Sequence, residues 1–176
     1  AVTANKAEAA IGLVSGEIAD ANRDKVRTIA YQHRGQTCGY WPDSSPTAFD
    51  KRNVRTGQYH IWSAMHFFTR LTAPGGEPRF PAARDLVGFF GGDRVPPPNV
   101  NMRELTIKAG SIPQCAMEVA RDTDLGPMRS YTPAEPCGCY FDSLTATGGT
   151  SCQACSSDAT CPTGAPHCRF GYCEVN

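Results

Sequence analysis

Three things are scarce in this sequence, and each scarcity excludes a class of protein. No stretch approaches the roughly 18 to 20 consecutive apolar residues that a membrane-spanning helix needs, so no membrane span is expected. Charge of one sign is not in excess: lysine plus arginine and aspartate plus glutamate stand at 17 each, for a net charge of zero. Without a global field, nucleic acid, anionic lipid and polyanionic substrates are poor partners, and any binding specificity must be local. The opening residues AVTANKAEAA contain no apolar core of a secretory leader, which reads as a soluble chain whose export signal has already been removed.

Cysteine, by contrast, is abundant. There are nine, and seven of them lie between Cys137 and Cys173. Such crowding occurs where a short segment buries too little apolar surface to fold alone and is tied by bridges or a metal. The C-x-C pair followed by C-x2-C-x5-C-x6-C-x4-C, with His167 among them, contains zinc's preferred ligand types, but the pairs are closer together than in a zinc ribbon. Disulfides are therefore expected, with no metal and no cofactor, and hence a secreted or periplasmic location. Cys152, Cys155, Cys161, Cys168 and Cys173 lie in one compact segment with Cys137 and Cys139 just before it, so local pairing accommodates six of seven. Cys115 is expected to bridge to Cys137 or Cys139 and fasten the tail to the body. Cys38 is then left as a free thiol or as the partner of a cysteine upstream of this chain.

The remaining segments alternate helix and strand signals, which points to an α/β body over residues 1–135 and a disulfide-stapled, irregular tail over 136–176. Residues 3 to 10 favour helix. The apolar run Ile11-Gly12-Leu13-Val14, the segment Asp24 to Gln32 with Val26, Ile29, Ala30 and Tyr31, and Gln58 to Leu71 each read as strand, with a helix starting near Ser63 as the alternative for the last. Gly35 to Gly57 has loop chemistry but carries Tyr40, Trp41 and Phe49. Ala83, Leu86, Val87 and Phe90 fall on one helical face closed by Gly91-Gly92. Pro96-Pro97-Pro98 is a stiff connector, after which Asn101 caps a short helix with Glu104 at its third position and Gly110 at its end.

The order of Ala10-Ile11-Gly12-Leu13-Val14, Val26-Arg27-Thr28-Ile29-Ala30, and Thr56-Gly57-Gln58-Tyr59-His60-Ile61-Trp62 resembles the second half of phosphate-type periplasmic solute-binding proteins. The helix at 82 to 90 and the run from Leu105 to Pro113 resemble that family's closing helix and end. His60 and Ser63 stand where the family has Pro and Arg, and the family's serine-glycine-threonine anion turn has no match here. The resemblance covers residues 8 to 115. It implies a partial type II periplasmic-binding-protein-like body, the C-terminal part of a longer two-lobed chain, with a small anion or polar solute as ligand.

Candidate ligand residues follow from chemistry. Asp50-Lys51-Arg52-Asn53-Val54-Arg55 sets three cations beside an amide, and arginine forks and amide donors suit a phosphate or carboxylate. Asn53, Arg55, Tyr59 and His60 are the expected ligand contacts, against a plainly solvated loop. His60 and His66, six apart, share one side of a strand but match no short metal motif. Asp43, Ser44 and Ser45 with His33 contain the residue types of a hydrolase triad, yet no G-x-S-x-G elbow accompanies them. The expectation is an exported binding protein without catalytic residues. Its rivals are a surface-interaction module that contacts an upstream lobe or a copy of itself, and a secreted hydrolase.

Overall fold

A computed structural model describes residues 11–145 and 149–175 of the chain. The expected helix over 3 to 10 lies outside them. Among the described residues five α-helices form: α1 (Gly16–Ala21), α2 (Arg52–Arg55), α3 (Pro81–Gly91), α4 (Met102–Lys108) and α5 (Gly138–Thr145). The strands make two antiparallel two-stranded ribbons, β1 (Val119–Ala120) with β2 (Arg129–Ser130), and β3 (His167–Arg169) with β4 (Tyr172–Glu174). In register, Val119 faces Ser130 and Cys168 faces Cys173.

This corrects the expected α/β layered body, and with it the partial type II binding-protein architecture. None of the three apolar runs becomes a strand of a sheet. Ile11 and Leu13 are 85% and 89% exposed, Asp24 to Gln32 yields one isolated bridge from Tyr31 to Tyr40, and Gln58 to Leu71 yields one from Leu71 to Pro78. A strand persists only where a neighbour takes its backbone hydrogen bonds, and no second run lies alongside any of these among the described residues.

The two punctuated helices do form. Pro81 sits in the first turn of α3 and Gly92 closes it at φ 82°. Its apolar stripe nevertheless stays open, with Leu86 and Phe90 both exposed. In α4 the Asn101 side chain accepts from the Glu104 amide at 3.1 Å. Gly110 follows at φ +83°, where a Cβ would also stand 2.7 Å from that of Glu17, so both backbone and space require glycine.

The core is small and gathers around α4 and α5: Ile107, Ala116, Cys137 and Phe141 are buried, with Ile112, Cys115, Tyr140 and Phe170 packed on them. The tail is less irregular than its composition suggests, because α5 and the β3–β4 hairpin lie within it. Phe170 and Gly171 turn that hairpin with φ 52° and 85°, the pair of positive angles a tight two-residue hairpin loop requires. Phe170 is held in this conformation between Tyr140, at 6.1 Å between ring centroids, and the Arg103 guanidinium, 3.6 Å above its ring.

Four disulfides tie this region: Cys115–Cys137, Cys139–Cys152, Cys155–Cys168 and Cys161–Cys173, with Cys38 free and exposed. The first joins the end of α4's connection to the start of α5, and the Cys137 amide also donates to the Cys115 carbonyl at 2.9 Å. It spans 22 residues. Closing such a loop in the unfolded chain contributes about 3 kcal/mol, so a Cys115→Ala/Cys137→Ala protein should lose about that much stability in urea unfolding.

Candidate functional site

Asn53 and Arg55, two of the four expected ligand contacts, are directed into the protein. The Asn53 amide donates to the carbonyls of Trp41 and Asp43, at 3.0 and 2.7 Å. It thereby closes the Gly35–Gly57 loop over α2. Arg55 is 4% exposed. Its Nε donates to the Ala116 carbonyl at 2.9 Å and its Nη1 to Asp50 O and the Asp142 carboxylate, while the guanidinium lies 4.8 Å over the Phe141 ring. Nearby, Asp43 is buried and accepts from the Lys51 amide and ammonium and from Arg23, with Asp20 completing the ion group. These charges are paired, as buried charges must be.

The other weighed constellations are distributed differently from their sequence grouping. Ser44 donates to Asp50, and Ser45 Oγ accepts from the Ala48 amide, so this string forms a turn in which histidine takes no part. Sγ atoms of Cys155, Cys161 and Cys173 lie within 4.8 Å of one another, but all three belong to disulfides and offer no thiolate to zinc. His167 instead faces Asp158 at 3.5 Å.

Tyr59 and His60 do come together with other aromatic and basic side chains. The His60 ring stacks on His33 at 4.0 Å between centroids and 9° between planes, and Tyr59 meets Tyr31 edge-on at 6.2 Å. Arg121 reaches across from the end of β1. Its Nη2 donates to His60 O at 2.7 Å and its Nη1 to Trp62 O at 2.6 Å, and its guanidinium lies 4.4 Å over the Trp62 ring. Beyond this stack is a cleft of about 170 Å³ lined by Trp62, Ser63, Ala64 and His66 on one side and Arg121 to Asp124 on the other. His66 and Asp124 meet across it at 2.7 Å. Trp62 Nε1 and Arg121 Nε are buried donors with no acceptor among the described residues.

Electrostatics here follow from crowding. Burial, then the neighbouring His33 and Arg121, hold the His60 imidazole below its ordinary pKa, and burial with Tyr31 beside it pushes the Tyr59 phenol up. Arg121 was missed in the sequence because its contacts to His60 and Trp62 lie 61 and 59 residues away. No local spacing marks such a pair.

Two outcomes are expected. Removing the buried Arg55 guanidinium strands Asp142 and a core carbonyl, so Arg55→Ala should lower stability by about 3 to 5 kcal/mol in denaturant titration, as when one partner of a buried ion pair is lost. Because the folded state holds His60 below its unfolded pKa of about 6.5, the unfolded chain binds more protons in the window beneath that value. Stability should therefore fall as pH drops from 7.5 through 6.5 to 5.5, and His60→Gln should flatten the melting profile over that window.

Compared with protein-family models, with curated proteins and with solved structures, the chain matches none.

Proposed function

We propose that this chain is an exported solute-binding protein that takes a small anion or acceptor-rich polar solute at the cleft between Trp62 and Arg121. The observation that supports the reading is the pair of buried donors, Trp62 Nε1–H and Arg121 Nε–H, without acceptors on two residues that line one cleft. A buried donor left unpaired costs about 1 to 3 kcal/mol, which a ligand oxygen recovers where binding turns the indole or guanidinium edge into the cleft. The cleft's size restricts the ligand to a few heavy atoms, well under the roughly 300 Å³ at which drug-sized sites begin. Arg121 supplies the positive charge, and its stacking on Trp62 fixes the guanidinium plane for a carboxylate or phosphate.

Export is supported by the four disulfides, which persist in oxidising compartments. No described helix is long and apolar enough to cross a membrane. Both features are compatible with a secreted or extracellular protein.

Ligand-dependent melting tests the reading. A ligand at about 100 times its Kd stabilises the native state by about 2.7 kcal/mol, so phosphate, sulfate or a short carboxylate should raise the melting temperature. Trp62→Phe keeps the ring against Arg121 and removes one donor. It should weaken binding about fivefold, as expected for one hydrogen bond of about 1 kcal/mol, and raise the unliganded melting temperature by a few degrees, because a donor without an acceptor is gone. A panel of phosphate, sulfate, carboxylates and sugars that produces no shift refutes the proposal.

A further inference from the structure

Cys168 and Cys173 stand opposite one another in the β3–β4 hairpin, yet neither is bonded to the other. Opposite residues of an antiparallel ribbon alternate between pairs whose amides and carbonyls bond to each other and pairs whose amides point away. The Cys168 amide donates to the Asp158 carboxylate at 2.8 Å and the Cys173 amide to Gln153 O at 2.9 Å, both away from the opposite strand. The two cysteines are therefore a non-hydrogen-bonded pair, whose side chains share one face and whose Cα atoms lie about 4.5 Å apart. A disulfide spans about 4.4 to 6.8 Å between Cα atoms, so this pair is placed for a bridge that it does not make.

Their actual partners are placed alike. Cys168 is bridged to Cys155 and Cys173 to Cys161, and the Sγ atoms of Cys155, Cys161 and Cys173 all lie within 4.8 Å of one another. The four sulfurs thus form one cluster with two complete pairings: Cys155–Cys168 with Cys161–Cys173, or Cys155–Cys161 with Cys168–Cys173. Access to them is unequal. Cys155, Cys161 and Cys168 are half-buried, whereas Cys173 is 3% exposed. A thiolate arriving from solvent reaches both ends of the Cys155–Cys168 bridge but one end of the other.

We propose that these four cysteines form a thiol–disulfide exchange site whose substrate is a small-molecule thiol. The incoming thiolate attacks Cys155 Sγ, forming a mixed disulfide and expelling Cys168 as a thiolate. Cys168 Sγ attacks Cys173 Sγ across the ribbon, forming Cys168–Cys173 and expelling Cys161. Cys161 Sγ attacks Cys155 Sγ, forming Cys155–Cys161 and returning the external thiolate. Each step makes one S–S bond and breaks one, so nothing is oxidised or reduced overall. What changes is which segments the bridges join. In the first pairing both bridges tie the segment 155–161 to the hairpin. In the second, segment and hairpin are each closed on themselves and are joined by hydrogen bonds, among them Cys155 N–H to Gly171 O and Cys173 N–H to Gln153 O. A small thiol thereby loosens the end of the tail without lowering its disulfide count. The site shares no residue with the cleft between Trp62 and Arg121.

Peptide mapping of the full chain without reduction tests the proposal. The protein is held in a glutathione buffer poised to keep its bridges formed, quenched with acid, alkylated, and cut after Arg169, which puts Cys173 on a peptide of its own. Tandem fragmentation between Cys161 and Cys168 then shows which of them carries Cys173. A Cys168–Cys173 link is expected with the thiol present and not in its absence. A chain that keeps Cys161–Cys173 throughout, or that loses bridges to reduction without forming Cys168–Cys173, overturns the proposal. Cys161→Ser isolates the middle step, because it leaves the Cys173 thiol facing the Cys155–Cys168 bridge. After acid quenching and unfolding of this variant, Cys155 should be alkylated, since Cys168 moves to Cys173. Alkylation confined to Cys38 and Cys173 overturns the proposal equally.

Discussion

The guanidinium of Arg55 joins three parts of the chain that are far apart in sequence. It leaves α2, donates to the carbonyl of Ala116, and ends on Asp142 of α5 with its face over Phe141. A rigid planar cation with several donors suits this position, where a lysine ammonium cannot reach a carbonyl and a carboxylate while also covering a ring. Other features depend on that placement. The Glu118 amide donates to Arg55 O, which brings β1 and therefore Arg121 beneath His60 and Trp62. The proposed binding cleft is thus positioned through Arg55, whose own guanidinium is paired with Asp142.

The tail is tied to the same core from its other end. Cys137 is fully buried between Cys115 and Phe141, and Glu174 of β4 accepts from the Cys139 amide at 2.7 Å. Burial pushes the Glu174 carboxyl up, with the Cys139 amide and Arg55 opposing that shift. Contacts therefore run continuously across residue 135, where the sequence changes composition. The Arg103–Phe170 contact adds a third link, from α4 to the hairpin tip.

Features set by adjacent residues were legible in the sequence, and those set by distant ones were not. The Asn101 cap, the Gly110 terminus and the Gly91-Gly92 end of α3 each act over one helical turn, and all three appear where the spacing places them. The apolar runs at 11–14, 24–32 and 58–71 have strand composition but form no sheet, since strand formation depends on a neighbour that composition does not specify. Helix α5 was hidden because Gly138, Cys139 and Ser143 are poor helix formers, and tertiary burial of Phe141 outweighs their propensity. At the candidate site, Tyr59 and His60 were visible as an aromatic and an imidazole beside a basic loop. Lys51 and Arg55 of the basic loop turned inward to the carboxylates of Asp43 and Asp142 while Arg52 stays exposed, and the cation beside His60 came from Arg121 instead.

The placement of the four disulfides has a mechanical consequence. All of them fall between Cys115 and Cys173, while residues 11 to 114 carry no cross-link. Tension applied between the two ends of the chain straightens the first segment without straining a covalent loop, but beyond Cys115 the load passes through sulfur from Cys115 to Cys137, from Cys139 to Cys152 and from Cys155 to Cys168. The residues inside those loops contribute almost nothing to the extended length. The protein is therefore a long segment free of covalent loops joined to a short inextensible knot, with Arg55, Arg103 and Arg121 among the contacts that fold the first back onto the second.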